Sequence, residues 1–154
     1  MVTAEASIHF GNDLPEYGQP HGYDDLVGDT GVVQVNPLMW LDEIDILLTR
    51  MADEVDFSSV TAISGSDQHH SSVSLNKSFE ESLANVDASQ SLKDQLGNLI
   101  DGENSLIWMD SSTSVECLEI SSAVGGNDIF CFKSGCIAIE RFTSAQIRKF
   151  AKTD

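Results

Sequence analysis

Positive charge is scarce in this sequence: eight lysines and arginines stand against 25 aspartates and glutamates, for a formal net charge of −17. A surface that tracks a nucleic-acid backbone neutralises phosphates with clustered bases, so the acidic first 132 residues argue against that partner. Five of the eight bases, Lys133, Arg141, Arg148, Lys149 and Lys152, fall in the last 22 residues, and a few charges on one helix read as a solvated face or a small basic patch. Long apolar runs are missing too, none approaching the roughly 20 residues that cross a bilayer. The N-terminus lacks a basic region followed by an apolar one. No membrane partner is expected, and the cytoplasm is the default compartment. There, Cys117, Cys131 and Cys136 are reduced thiols rather than a disulfide framework. There is no Gly-x-Ser-x-Gly elbow, no Gly-x-Gly-x-x-Gly and no Walker loop, so serine hydrolase, dinucleotide enzyme and P-loop kinase have no support.

What is present is a globular composition, with 41% hydrophobic and 7% aromatic residues in a chain of 154. A domain near this size buries roughly 70% of its unfolded surface. The length suits one domain over residues 1–154 and not two; no repeat or boundary divides it.

The densest punctuation lies in residues 105–143. Leu106, Ile107, Trp108 and Met109 form a short apolar run read as a strand, and Asp110 ends it where α/β proteins place polar site residues. Thr113-Ser-Val-Glu116 reads as a capping box opening a helix, with Cys117, Ile120 and Val124 at helical spacing and Gly125-Gly126 as its stop. Thr143-Ser-Ala-Gln146 reads as a second capping box, with Ile147 and Phe150 as the apolar side of a final helix.

Upstream, residues 7–10 read as a short strand, and 12–31, rich in Gly, Asp and Pro, as a long loop. Asn36-Pro37 suits the start of a core helix whose stripe is Leu38, Leu41, Ile44, Leu48 and Met51, widened by Trp40 and Leu47. Residues 60–63 read as a buried strand delivering residues 65–72 at its C-terminal end, and 73–75 as extended. Residues 77–90 read as a serine-rich acidic surface insertion. Leu92, Leu96 and Leu99 suggest a short helix.

Asp67-Gln68-His69-His70 is the densest cluster of functional side chains. Adjacent histidines in an extended segment point to opposite faces and rarely share one ion, so a metal site competes with a plain polar loop. Trp108 and Asp110 are a second pair, read either as a ligand-facing indole and carboxylate or as a core tryptophan and a helix-preceding aspartate. Arg141 offers several fixed donors, or pairs with Glu140 or the following helix.

Four ordered segments carry a family resemblance: Ile-His-Phe-Gly-Asn-Asp-Leu-Pro-Glu-Tyr-Gly at 8–18, Ile-Ser-Gly-Ser-Asp-Gln-His-His-Ser-Ser at 63–72, Trp-Met-Asp-Ser-Ser-Thr at 108–113 with Ala-Val-Gly-Gly at 123–126, and Glu-Arg-Phe-Thr-x-x-Gln-Ile at 140–147. Together they resemble the eukaryotic xylulose kinases of the FGGY carbohydrate kinases. The resemblance implies an α/β, ribonuclease-H-like (actin-like ATPase) fold, here an incomplete N-terminal sugar-side domain. It implies D-xylulose as the small-molecule partner and, in the full-length family, ATP and magnesium as cofactors. By the same resemblance His70 helps hold the ketose, Trp108 and Asp110 line the sugar cleft, and Arg141 faces the substrate. His69 stands where the family has Gln or Met, and Asp67 and Ser71 replace family glycines. The family's phosphate loop and catalytic aspartate have no counterpart here, so no catalytic residue is assigned, the nucleotide is not expected to bind this stretch well, and the chain alone is not expected to phosphorylate sugar. Two classes stay open: part of a xylulose kinase, or a non-catalytic sugar-binding or interaction protein derived from one.

Overall fold

Alternating helices and very short strands build the chain, as seen in a computed structural model that describes residues 2–25 and 30–152. Helix α1 (Phe10–Asp13) leads to strand β1 (Asp24–Asp25) and strand β2 (Val33–Val35), and then to α2 (Leu38–Ala52). Strand β3 (Ser74–Leu75), helices α3 (Phe79–Ala84) and α4 (Leu92–Leu96), and strands β4 (Ile100–Asp101) and β5 (Ser105–Leu106) follow. Helices α5 (Ser114–Ala123), α6 (Asn127–Ser134) and α7 (Thr143–Phe150) complete the order. One sheet has the order β1-β2-β5. In the other, β3 pairs antiparallel with β4, Ser74 opposite Asp101 and Leu75 opposite Ile100. The mixture agrees with the α/β expectation.

The residues divide into two compact units, each assembled from three separate segments. The first unit comprises residues 1–24, 35–67 and 73–104. Its buried side chains include Leu14, Val35, Met39 and Leu96. Helix α2 begins as its sequence predicts, because the Asn36 side-chain oxygen accepts the Leu38 amide at 3.0 Å and Pro37 supplies a compatible φ of −67°. The Lys93 ammonium reaches the Asp42 carboxylate at 2.8 Å and the Tyr17 hydroxyl at 2.7 Å, and the same hydroxyl donates to Asp42.

The second unit comprises residues 25–34, 68–72 and 105–154, and most of its buried side chains are polar: Ser105, Asp110, Thr113, Glu116, Ser121 and Gln146 beside Val33, Ile107, Cys117 and Ala145. Helix α5 stops at the predicted Gly125-Gly126, whose φ angles of +108° and +103° favour glycine, and the Gly126 amide closes back onto Ser121 O at 2.8 Å. The basic residues of α7 and of the turn after it are used within the chain. Arg148 pairs with Glu119 at 3.0 Å, and Lys152 pairs with Glu116 and Glu119.

Several expectations are corrected. Residues 7–10 form no strand; α1 starts at Phe10. Residues 60–63 are irregular and solvent-facing, with Ile63 at 89% exposure, because an isolated apolar run gains nothing from extension without a partner strand to bond. Strand β5 ends at Leu106, and the apolar run then turns, leaving Ile107 buried and Trp108 43% exposed. On α2 the fully buried residue is Met39, while Ile44 and Leu48 of the predicted stripe are exposed. The loop read over 12–31 contains a 3₁₀ turn at Pro15–Tyr17 and β1, and its residues 26–29 lie outside the described residues. Helix α6 was not anticipated.

Candidate functional site

Neither capping box forms, and the reason is tertiary. The Thr113 hydroxyl donates to Glu140 O at 2.7 Å instead of capping α5, and the Glu116 carboxylate takes the Lys152 ammonium at 2.8 Å. At the head of α7, Phe142 occupies the cap position in extended backbone, and Thr143 makes no capping bond. Gln146, the presumed capping glutamine, is 3% exposed. The buried positions of α7 are Ala145 and Gln146, with Phe142 and Lys149 partly covered, whereas Ile147 and Phe150 face solvent. This is the i, i+3, i+4, i+7 spacing of a helix face, with glutamine at one of its positions.

The Gln146 amide joins three backbone segments of the second unit. Its nitrogen lies 3.2 Å from His70 O, 3.4 Å from Ile107 O and 3.4 Å from Arg141 O, and its oxygen accepts the Ser72 hydroxyl at 2.7 Å. Two amide hydrogens shared among three carbonyls satisfy a side chain that would be costly to bury unpaired. Gln146 is the residue that sequence reasoning missed as part of this site; the signal for it was its place on the stripe 142, 145, 146, 149.

His70 is the one non-glycine residue with positive φ among the described residues, at +63°. Histidine enters this left-handed region more readily than bulky residues do, but the conformation persists only where its surroundings hold it. Here the Gln146 amide holds its carbonyl, and the Phe142 ring lies 5.1 Å from its imidazole, tilted by 35°. The His69 ring lies 5.8 Å from it, tilted by 52°. Both histidines are exposed. Ser71, where the family has glycine, donates its hydroxyl to Gln68 at 2.8 Å.

Asp110 is held differently. Its carboxylate is 2% exposed and accepts the Val33 amide at 3.1 Å, the Ser112 amide at 3.1 Å, and the Ser112 hydroxyl at 2.8 and 2.9 Å. Lys149 in turn donates to the Ser112 hydroxyl. The Ser111 amide meets Gly31 O at 2.9 Å, so residues 110–112 are tied to the segment entering β2. Asp110 therefore shapes the loop behind Trp108 and does not present a free carboxylate. The structure brings His70, Trp108, Asp110 and Arg141 into one unit through shared hydrogen bonds of their backbones and neighbours. The Arg141 guanidinium is exposed and makes no ion pair among the described residues.

Among the described residues, no group of three or more His, Cys, Asp or Glu is placed to hold a metal ion. No helix among the described residues is long and apolar enough to cross a membrane.

No protein-family model matches the chain. Individual relatives do. It is 42% identical over 148 residues to Xylulose kinase 2 of Arabidopsis thaliana, covering 95% of this chain and 26% of that protein. Xylulose kinase of Schizosaccharomyces pombe is 40% identical over 152 residues, 98% of this chain and 26% of that protein. Xylulose kinase of Rattus norvegicus is 38% identical over 149 residues, 96% of this chain and 28% of that protein. The chain thus spans about a quarter of the length of the curated relatives it matches. The chain is thus similar, along nearly all of its residues, to part of the xylulose kinases of a plant, a yeast and a mammal.

Proposed function

We propose that this chain is the sugar-side part of a xylulose kinase, built on the ribonuclease-H-like domain of the FGGY kinases, and that the whole enzyme transfers the γ-phosphoryl group of ATP to D-xylulose. The observation that carries the reading is the identity to three xylulose kinases over at least 95% of the chain. In this reading His70 bridges two sugar hydroxyls, since one imidazole nitrogen donates and the other accepts. The Arg141 guanidinium supplies further donors, and the exposed indole of Trp108 covers the apolar face of the ketose. His69, whose ring lies against that of His70 at a tilt of 52°, borders the same site. Asp110 contributes through the loop it holds. The arrangement binds and orients a polyol; the proton-accepting group and the phosphate-binding loop belong to the rest of the enzyme.

The test is a titration of D-xylulose followed by tryptophan fluorescence. Saturable quenching is expected, weakened about tenfold or more by His70→Ala and by Arg141→Ala, the loss of one hydrogen bond to a charged or aromatic donor. A flat titration up to high millimolar sugar overturns the reading. In a coupled assay with ATP, Mg²⁺ and D-xylulose, this chain by itself is expected to show no turnover above background.

A further inference from the structure

The left-handed backbone at His70 and the buried glutamine beneath it are two independent observations at one place. A histidine at φ +63° is uncommon, and such residues persist where neighbouring structure over-determines them. Beside the Phe142 ring and the bond from the Ser72 amide to Leu106 O, one buried side chain meets this turn twice. Gln146 donates to the His70 carbonyl, and its oxygen takes the Ser72 hydroxyl two residues on, so a single amide brackets the turn 70–72 from both ends. The same nitrogen reaches Arg141 O and Ile107 O, the latter next to Trp108.

We propose that Gln146 is the positioning residue of the polyol site: its buried amide holds the left-handed turn at His70 and the backbone of Arg141, and so presents the two side chains to one ligand. The inference rests on the xylulose-kinase reading for the identity of that ligand. Its physical content is donor geometry. An amide can supply two hydrogens to carbonyls while accepting a hydroxyl on its other end, and no other side chain of that size does both. A carboxylate in its place keeps the Ser72 bond but faces three carbonyl oxygens with no hydrogen to give. A methionine keeps the volume and loses every bond.

The experiment uses the intact chain with ¹³C-labelled histidine. The chain has four histidines, so each ring resonance can be assigned, His70 by its loss in His70→Ala. In Gln146→Glu and Gln146→Met the His70 resonance is expected to shift while those of His9 and His21 stay in place, and D-xylulose affinity is expected to fall about tenfold or more. Ser72→Ala is the milder variant should either of these fail to fold. It frees one end of the amide, and a smaller His70 shift with roughly threefold weaker binding is expected. A His70 resonance unchanged in every folded variant overturns the proposal, as does wild-type affinity with a shifted resonance. If the wild-type chain binds no D-xylulose, the xylulose-kinase reading fails, and the resonance by itself decides whether Gln146 holds the turn.

Discussion

The carboxylate of Asp110 accepts the backbone amide of Val33 at 3.1 Å, a buried hydrogen bond between residues 77 apart in the chain. It joins the start of β2 to the loop before α5, and with the bonds from the Ser112 amide and hydroxyl it occupies both carboxylate oxygens. Asp110→Ala strands the Val33 amide in the interior, at about 1–3 kcal/mol for an unsatisfied buried donor. Asp110→Asn keeps one acceptor oxygen and is expected to lose less. Urea denaturation of the three proteins checks the order, and a wild-type midpoint for the alanine variant would show that this bond contributes nothing.

Gly31 lies where that loop is met from the other side. Its φ is +64°, and a Cβ there would come within 2.5 Å of the Ser111 hydroxyl and 3.3 Å of the Ser111 carbonyl carbon. Gly18 has nearly the same φ, +65°, with open space around it. Both alanine variants incur the left-handed penalty of about 1–2 kcal/mol, and Gly31→Ala adds the displacement of residues 111–112. Gly31→Ala is therefore the less stable of the two by thermal midpoint; the reverse order would contradict the contact.

The turn that follows α7 is tied to α5 by Lys152, which lies between Glu116 and Glu119 at 2.8 and 2.7 Å. The Lys152 ammonium holds both carboxyls below their ordinary value near 4.5, with Arg148 adding to the effect on Glu119. A carboxyl with a depressed folded pKa contributes stability that is present above the unfolded value and is lost as pH falls through the folded one. Acid should thus loosen this pairing below about pH 4.5. Lys152→Met is expected to flatten that part of the stability profile and to reduce its sensitivity to salt. An unchanged acid limb, followed by circular dichroism, would remove Lys152 from the account.

Local signals in the sequence determined the elements whose stabilisation is also local. Asn36 and Pro37 start α2 through a bond two residues long, and Gly125-Gly126 ends α5 because φ values above +100° are open to glycine. The similarity to xylulose kinases was legible as well, because four motifs in order need no structure to be compared. Tertiary structure decided what those signals cannot specify, namely which partner a versatile side chain takes. Thr113 and Gln146 each stood three residues from a suitable capping mate, yet Thr113 bonds Glu140, 27 residues away, and Gln146 bonds His70, 76 residues away. Residues 60–63 carry a strand's composition and remain irregular, since extension is stabilised by a neighbouring strand and not by its own residues. The candidate site follows the same rule: its side chains were readable by type, but the bonds of the buried Gln146 amide are set by contacts between distant segments.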